Sequence, residues 1–172
     1  PTPSSAASDV YKRQDKGIYK EMGELGFLGA PIDGYGCAGT NYVSYGLIAR
    51  EIERVDSSYR SAFSVQTSLA MHAIYHFGSD EQKDFYLPQM AKGELIGCFG
   101  LTESDAGSDP ASMKTNAVEK DDGYILNGSK TWITNSPIAD VLVIWAKDEQ
   151  GVLRGFIVDR DCEGLTLSLI HI

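Results

Sequence analysis

At 172 residues, with 42% apolar and 23% charged side chains, the chain can bury a sizeable core and has an ordinary globular balance. A formal charge of −9 leaves no basic stripe to displace counterions, which argues against nucleic acid and against an anionic bilayer surface. The longest uncharged run, residues 61–79, is broken by Ser64, Gln66, Thr67, Ser68, His72 and His76, so it does not read as a membrane span.

Residues 1–14 are polar, lack the apolar segment of a signal peptide, and are expected to be a disordered or artefactual tail. Ile18, Met22 and Leu25 recur at helical spacing and predict a helix over 15–27, ending near Gly26. A glycine-rich loop, GAPIDGYGCAG, follows. Thr40 or Asn41 can cap a second helix to about Val55, with apolar positions Val43, Leu47, Ile48 and Ile52. The third helix, from about Ser57 to Phe77, has no charge beyond Arg60, so it is expected inside a bundle with Gly78 as a left-handed cap. Ser79 and Gln82 form an S-x-x-Q capping box for a fourth.

From Leu95 the period changes. LIGCFGL, MKTNAVEK, YILNGSKTWIT, VLVIWAK, LRGFIVD and GLTLSL are short and rich in β-branched and aromatic residues. Turns are expected at 121–123 and 147–151, and Asn127-Gly128 is the strongest hairpin signal. The pattern gives a helical domain over 15–95 and an antiparallel, barrel-like β domain over 96–172. The ending at LSLIHI, inside an apolar pattern, reads as that of a fragment.

Each candidate site has two readings. GYGCAG (34–39) matches GxGxxG, but no β-rich run precedes it and no second strand follows, so an interhelix loop is the better reading. His72 and His76 share a helical face, yet Ala73 replaces the acid of HExxH and no third ligand is in view; no metal site is expected. Cys37, Cys98 and Cys162 are widely spaced and outside any CxxC pair, a usage of free thiols in a reducing compartment. Arg60, Ser61 and Ser64 open the buried helix. Arg60 either pairs with Asp56 at the surface or grips a carboxylate with its two-pronged fork. CFGLTESDAGSDP (98–110) is either a long Ser- and Asx-rich turn or a loop that holds an anion through amides and the hydroxyls of Thr102 and Ser108. WITNS (132–136) is a second polar loop leaving a strand, and the two could face one ligand.

Taken together, CFGLTESDAGSDP, NGSKTWITNSPIAD, GELGFLGAPIDGYGCAGTN, YGLIAREIERVDSSYRSAFSVQTSLAMHAIYHFGS and LPQMAKGELIGCFGLTE resemble the acyl-CoA dehydrogenase family. The resemblance covers about residues 15–167 and is nearest to the members that act on glutaryl-CoA. It implies an α+β fold: an N-terminal helical domain, a middle β domain and a C-terminal four-helix bundle, assembled as a homotetramer. It implies FAD, lined by Phe99, Gly100, Leu101, Thr102, Glu103, Gly107 and Ser108, mainly through backbone. Trp132, Ile133 and Thr134 would lie along the isoalloxazine, and Ser108 would face the thioester. Arg60, with Ser61 and Ser64, would bind the distal carboxylate of glutaryl-CoA.

The implied reaction is dehydrogenation and decarboxylation to crotonyl-CoA and CO2, with electrons passing to an electron-transferring flavoprotein. The implied location is a bacterial cytoplasm or the mitochondrial matrix. The family's catalytic Glu belongs to the last bundle, beyond residue 172, so no acid here is assigned as base. The alternatives are a dehydrogenase or oxidase for plain or branched acyl chains, and a non-catalytic acyl-CoA-binding relative.

Overall fold

The computed structural model describes residues 16–121 and 123–167. Helices come first: α1 (Gly17–Glu24), α2 (Tyr42–Val55), α3 (Ser57–Ser64), α4 (His72–Phe77) and α5 (Asp80–Ala91). Their ends follow from local chemistry. The chain turns out of α1 at Gly26 (φ +69°), where the Gly26 and Phe27 amides donate to the carbonyls of Gly23 and Met22. Asn41 caps α2 by accepting from the Ser44 amide at 2.9 Å. Asp56, in extended conformation, accepts from the Ser58 and Tyr59 amides and opens α3. The Ser79–Gln82 capping box forms with both of its bonds.

The long third helix is continuous in space but carries a π-helical stretch, Val65–Met71, between α3 and α4. Gly78 is not a left-handed cap: its φ is −72°, and glycine is needed because a Cβ would sit 2.6 Å from the Ile74 carbonyl oxygen. Phe63, Met71, Ile74, Leu87 and Met90 bury almost completely in one core, each contributing about 1.5–3 kcal/mol. Burial of this helix is one-sided, since Phe77 and Leu69 remain exposed. No residue of α2 is buried, and Leu47 and Val55 with Met22, Leu25 and Tyr59 line an apolar groove of about 530 Å³.

The sheet contains β1 (Gly97–Gly100), β2 (Asn116–Lys120), β3 (Gly123–Asn127), β4 (Val141–Lys147) and β5 (Leu153–Asp159). It is open and mixed, which corrects the expectation of antiparallel, barrel-like pairing. β5 covers one edge of β4 in antiparallel register. The other edge takes β1 in parallel, from Gly97 opposite Val141 to Gly100 opposite Ile144, and then β2, with Asn116 opposite Lys147. The chain re-enters β4 beside the start of β1, where the Asp140 and Val141 amides donate to the Ile96 carbonyl; that re-entry makes the pair parallel.

Asn127-Gly128 is not a hairpin turn. It ends β3, and Gly128 is required there because a Cβ would overlap Thr115. β2 and β3 pair antiparallel up to Lys120 opposite Gly123, and the β4–β5 hairpin turns at 148–152, as the turn residues there predict. Gly164–Leu167 form no strand, and the rest of the run to residue 172 lies outside the described residues, as does the tail through residue 14.

Candidate functional site

β1 and β2 lie end to end along one edge of β4, with only Trp145 and Ala146 between their registers. Residues 101–115 are therefore an excursion from an almost continuous strand line, and CFGLTESDAGSDP is its outgoing limb. A chain leaving a ladder loses its backbone partners and must find others. Glu103 supplies them. Its side chain turns inward, accepting from the Lys114 amide at 2.7 Å, from the Thr115 amide at 3.0 Å and from the Thr115 hydroxyl.

Lys130 completes the arrangement. Its ammonium donates to Glu103 Oε1 at 2.8 Å and to the Leu101 carbonyl at 3.1 Å. Burial works to raise the Glu103 pKa, but Lys130, Thr115 and the two amides outweigh it and hold it at about 2. One residue on, the Thr131 amide donates to the Thr102 carbonyl at 2.9 Å. Two loops far apart in sequence are thus joined into one rim, 101–108 and 130–136.

The rim has an unusual face. Trp132 is 90% exposed and sits at φ +57°, a backbone region a bulky residue enters only when its surroundings impose it. Asn135, at φ +70°, is buried and donates from Nδ2 to the Gly97 carbonyl at 3.1 Å. Arg160 holds the far side, donating to the carbonyls of Ser136 and Pro137. Ile133 packs on the Cys98, Ala139 and Leu142 cluster. Thr102 and Thr134 are half-buried, whereas Gly107 and Ser108 stand exposed at the tip. Phe99 meets Trp145 at a centroid distance of 5.8 Å, and Gly100 admits Ile144, which a Cβ would strike at 2.5 Å.

Arg60, Ser61 and Ser64 lie on α3. The Arg60 guanidinium is half-buried, donating from Nε to Glu53 Oε2 at 2.5 Å and from NH1 to the Ser64 hydroxyl at 3.3 Å. Asp56 is not its partner, because that carboxylate is committed to the α3 cap. Glu53 is instead held low by the Ser57 hydroxyl and Arg60. Six residues beyond Arg60, or about 9 Å along the helix, the fully buried Gln66 donates to the Met90 and Leu95 carbonyls and accepts from the Gly97 amide at 2.7 Å. The helix carrying Arg60 is thereby fastened to the start of β1. Among the described residues no hydrogen bond joins Arg60 itself to the rim.

His72 is half-buried between the Tyr42 hydroxyl (3.3 Å) and the Thr67 carbonyl (3.1 Å), and His76 is exposed. No group of three potential metal ligands occurs among the described residues. Residues 34–39 form an interhelix loop that no strand precedes. Cys37, Cys98 and Cys162 are free thiols, and burial pushes Cys98 up to about 12. No helix among the described residues is long and apolar enough to cross a membrane.

Sequence reasoning missed Gln66, Lys130, Asn135 and Arg160. Lys130 had a signal: it is the sole charge between Gly128 and Ala139.

A helical layer fastened to an open sheet, with a two-loop polar rim where the strand line is interrupted, defines a family. The acyl-CoA dehydrogenase N-terminal domain model matches residues 2–94 and the middle-domain model matches residues 98–171. The chain belongs to the acyl-CoA dehydrogenase family. A glutaryl-CoA dehydrogenase from Mycobacterium smegmatis in complex with FADH2 superposes with a TM-score of 0.86 and 53% identity, over 88% of this chain and 39% of that one. The Bacillus anthracis acyl-CoA dehydrogenase complexed with FAD gives 0.83 and 39%, over 89% and 26%. The mitochondrial isovaleryl-CoA dehydrogenase of Pongo abelii is 39% identical over 88% of this chain and 37% of its own length. The chain spans well under half the length of these relatives.

Proposed function

We propose that the chain provides the helical and middle domains of an FAD-dependent acyl-CoA dehydrogenase that acts on glutaryl-CoA and passes electrons to an electron-transferring flavoprotein. The observation that carries the flavin reading is the rim. An exposed indole in left-handed backbone, with the Thr102 and Thr134 hydroxyls on the two limbs joined by the Thr131–Thr102 bond, fits a flat aromatic group carrying polar edges. Trp132, Ile133 and Thr134 would hold the ring from one limb, and residues 99–103 with Gly107 and Ser108 from the other. The chemistry supplied by bound FAD is acceptance of a hydride from the acyl β-carbon. The chain's own groups bind and orient: the rim excludes water from one face of the ring, and Ser108 meets the thioester.

The glutaryl-CoA reading rests on Arg60. A distal carboxylate taken out of water needs a charged, hydrogen-bonding partner, and a guanidinium already bonded to Ser64 offers one in fixed orientation. Likeness to the M. smegmatis enzyme at 53% identity supports the same choice. The Glu53–Arg60 pair favours a second reading, in which Arg60 is satisfied internally and the substrate is a plain or branched acyl-CoA.

The complete protein, assayed with glutaryl-CoA and butyryl-CoA, decides between them. Arg60→Ala should cut kcat/KM for glutaryl-CoA by about 100-fold, the loss of a charged bidentate contact, and leave butyryl-CoA turnover near its starting value. An equal effect on both substrates would establish the second reading. A complete protein that purifies without flavin absorbance would refute both.

A further inference from the structure

We propose that the buried Lys130–Glu103 pair is the positioning element of the rim, holding Thr102 and Trp132–Thr134 in one register for the flavin. The inference deepens the flavin reading above and rests on it. Both side chains are nearly inaccessible, at 8% and 7% exposure. They stand where three pieces of chain meet: the exit from β1 at Leu101, the re-entry to β2 at Lys114 and Thr115, and the start of the second limb at Lys130.

An apolar side chain at position 130 would fill the space but leave the limbs free to slide, because apolar contact has no direction. An ammonium with fixed acceptors does not slide. Its neighbour Thr131 then makes the only backbone bond between the limbs among the described residues, to the Thr102 carbonyl. The next residue, Trp132, enters the left-handed region. That conformation has to be imposed from both sides. Lys130 and Thr131 impose it from the N-terminal side, and the buried Asn135, bonded to the Gly97 carbonyl, from the C-terminal side. The pair thus sets the orientation of the indole through the backbone rather than by touching it.

The test compares the chain with the neutral double variant Lys130→Met/Glu103→Gln, which avoids stranding one buried charge. Amide hydrogen exchange is read at Thr131–Asn135 and, in the same sample, at Val141–Ala146 of β4. The expected result is about tenfold faster exchange at the rim with β4 unchanged. Acceleration by the same factor in both segments, or in neither, overturns the proposal.

A second arm takes the complete protein, with and without the double substitution and stripped of flavin, titrates each with FAD and follows amide shifts of Thr102 and Trp132–Thr134. These shifts should appear in the unsubstituted protein and shrink in the variant; equal shifts in both overturn the positioning role. No shifts in the unsubstituted complete protein, with the exchange contrast intact, refute the flavin reading and leave the clamp standing. Where the double variant fails to fold, exchange in the unsubstituted chain decides. A Thr131 amide exchanging as fast as those of residues 104 and 105 at the exposed tip overturns the proposal.

Discussion

Acid should weaken this fold in a way that Glu103 accounts for. The perturbation is a fall in pH from 6 to 2.5, compared between the chain and Glu103→Gln. In the folded state Glu103 titrates at about 2, against an ordinary value of 4.5. Because the folded value is the lower one, its contribution is fully present above about 4.5 and is lost as pH falls toward 2. At 1.36 kcal/mol per pH unit, that difference corresponds to about 3 kcal/mol. Urea denaturation at a series of pH values reads it directly. The stability gap between the two chains should shrink by about 2–3 kcal/mol between pH 6 and 2.5, most steeply below pH 4.5. The other low-titrating acids, Glu51, Glu53, Asp56, Glu81 and Asp148, are present in both chains and cancel. A gap that stays constant across that range would refute the argument that the amides and Lys130 outweigh burial.

Three further outcomes follow from the packing. Gln66→Leu deprives two carbonyls and the Gly97 amide of a buried partner, so urea denaturation should read a loss of about 3 kcal/mol. Ser79→Ala removes half of the α5 capping box and should cost about 1 kcal/mol by the same measurement. Gly93→Ala faces both a φ of +69° and overlap with the Tyr19 carbonyl, and should lower stability by about 3 kcal/mol or more; a thermal midpoint within a degree of the unsubstituted chain would contradict that.

The parts of this fold that local chemistry decides were legible in its sequence. Asn41, Ser79 with Gln82, and Asp148 in the turn at 147–151 act through bonds within a few residues, and the change of period near Leu95 marks where helices give way to strands. The parts that failed are decided at long range. Whether β1 runs parallel to β4 depends on where residues 101–140 bring the chain back, which no period-2 pattern records. Asn127-Gly128 suits a hairpin, but Thr115 claims the space beside Gly128 and the chain leaves the sheet. Arg60 was offered Asp56 by spacing. The cap took that carboxylate, and Glu53, near the end of the preceding helix α2, took the guanidinium.

The site was legible as composition and illegible as arrangement. Hydroxyls and glycines at 102–108 and the Trp at 132 suggested two loops with a shared ligand, yet what joins them lies in residues that looked unremarkable. Glu103 reads as one acid among three in its loop. Only burial distinguishes it, because Asp105 and Asp109 remain in water while Glu103 turns in to replace the ladder partners that residues 101–115 forgo. A strand line that breaks and resumes along one edge needs such a replacement, since the amides at the point of return would otherwise be stranded. A carboxylate is the compact side chain able to accept three bonds there, and once buried it requires a cation. Lys130 follows from that requirement, and with it the second limb. On this reasoning the rim exists because the ladder is interrupted, and the ligand-facing surface is a consequence of how the interruption is repaired.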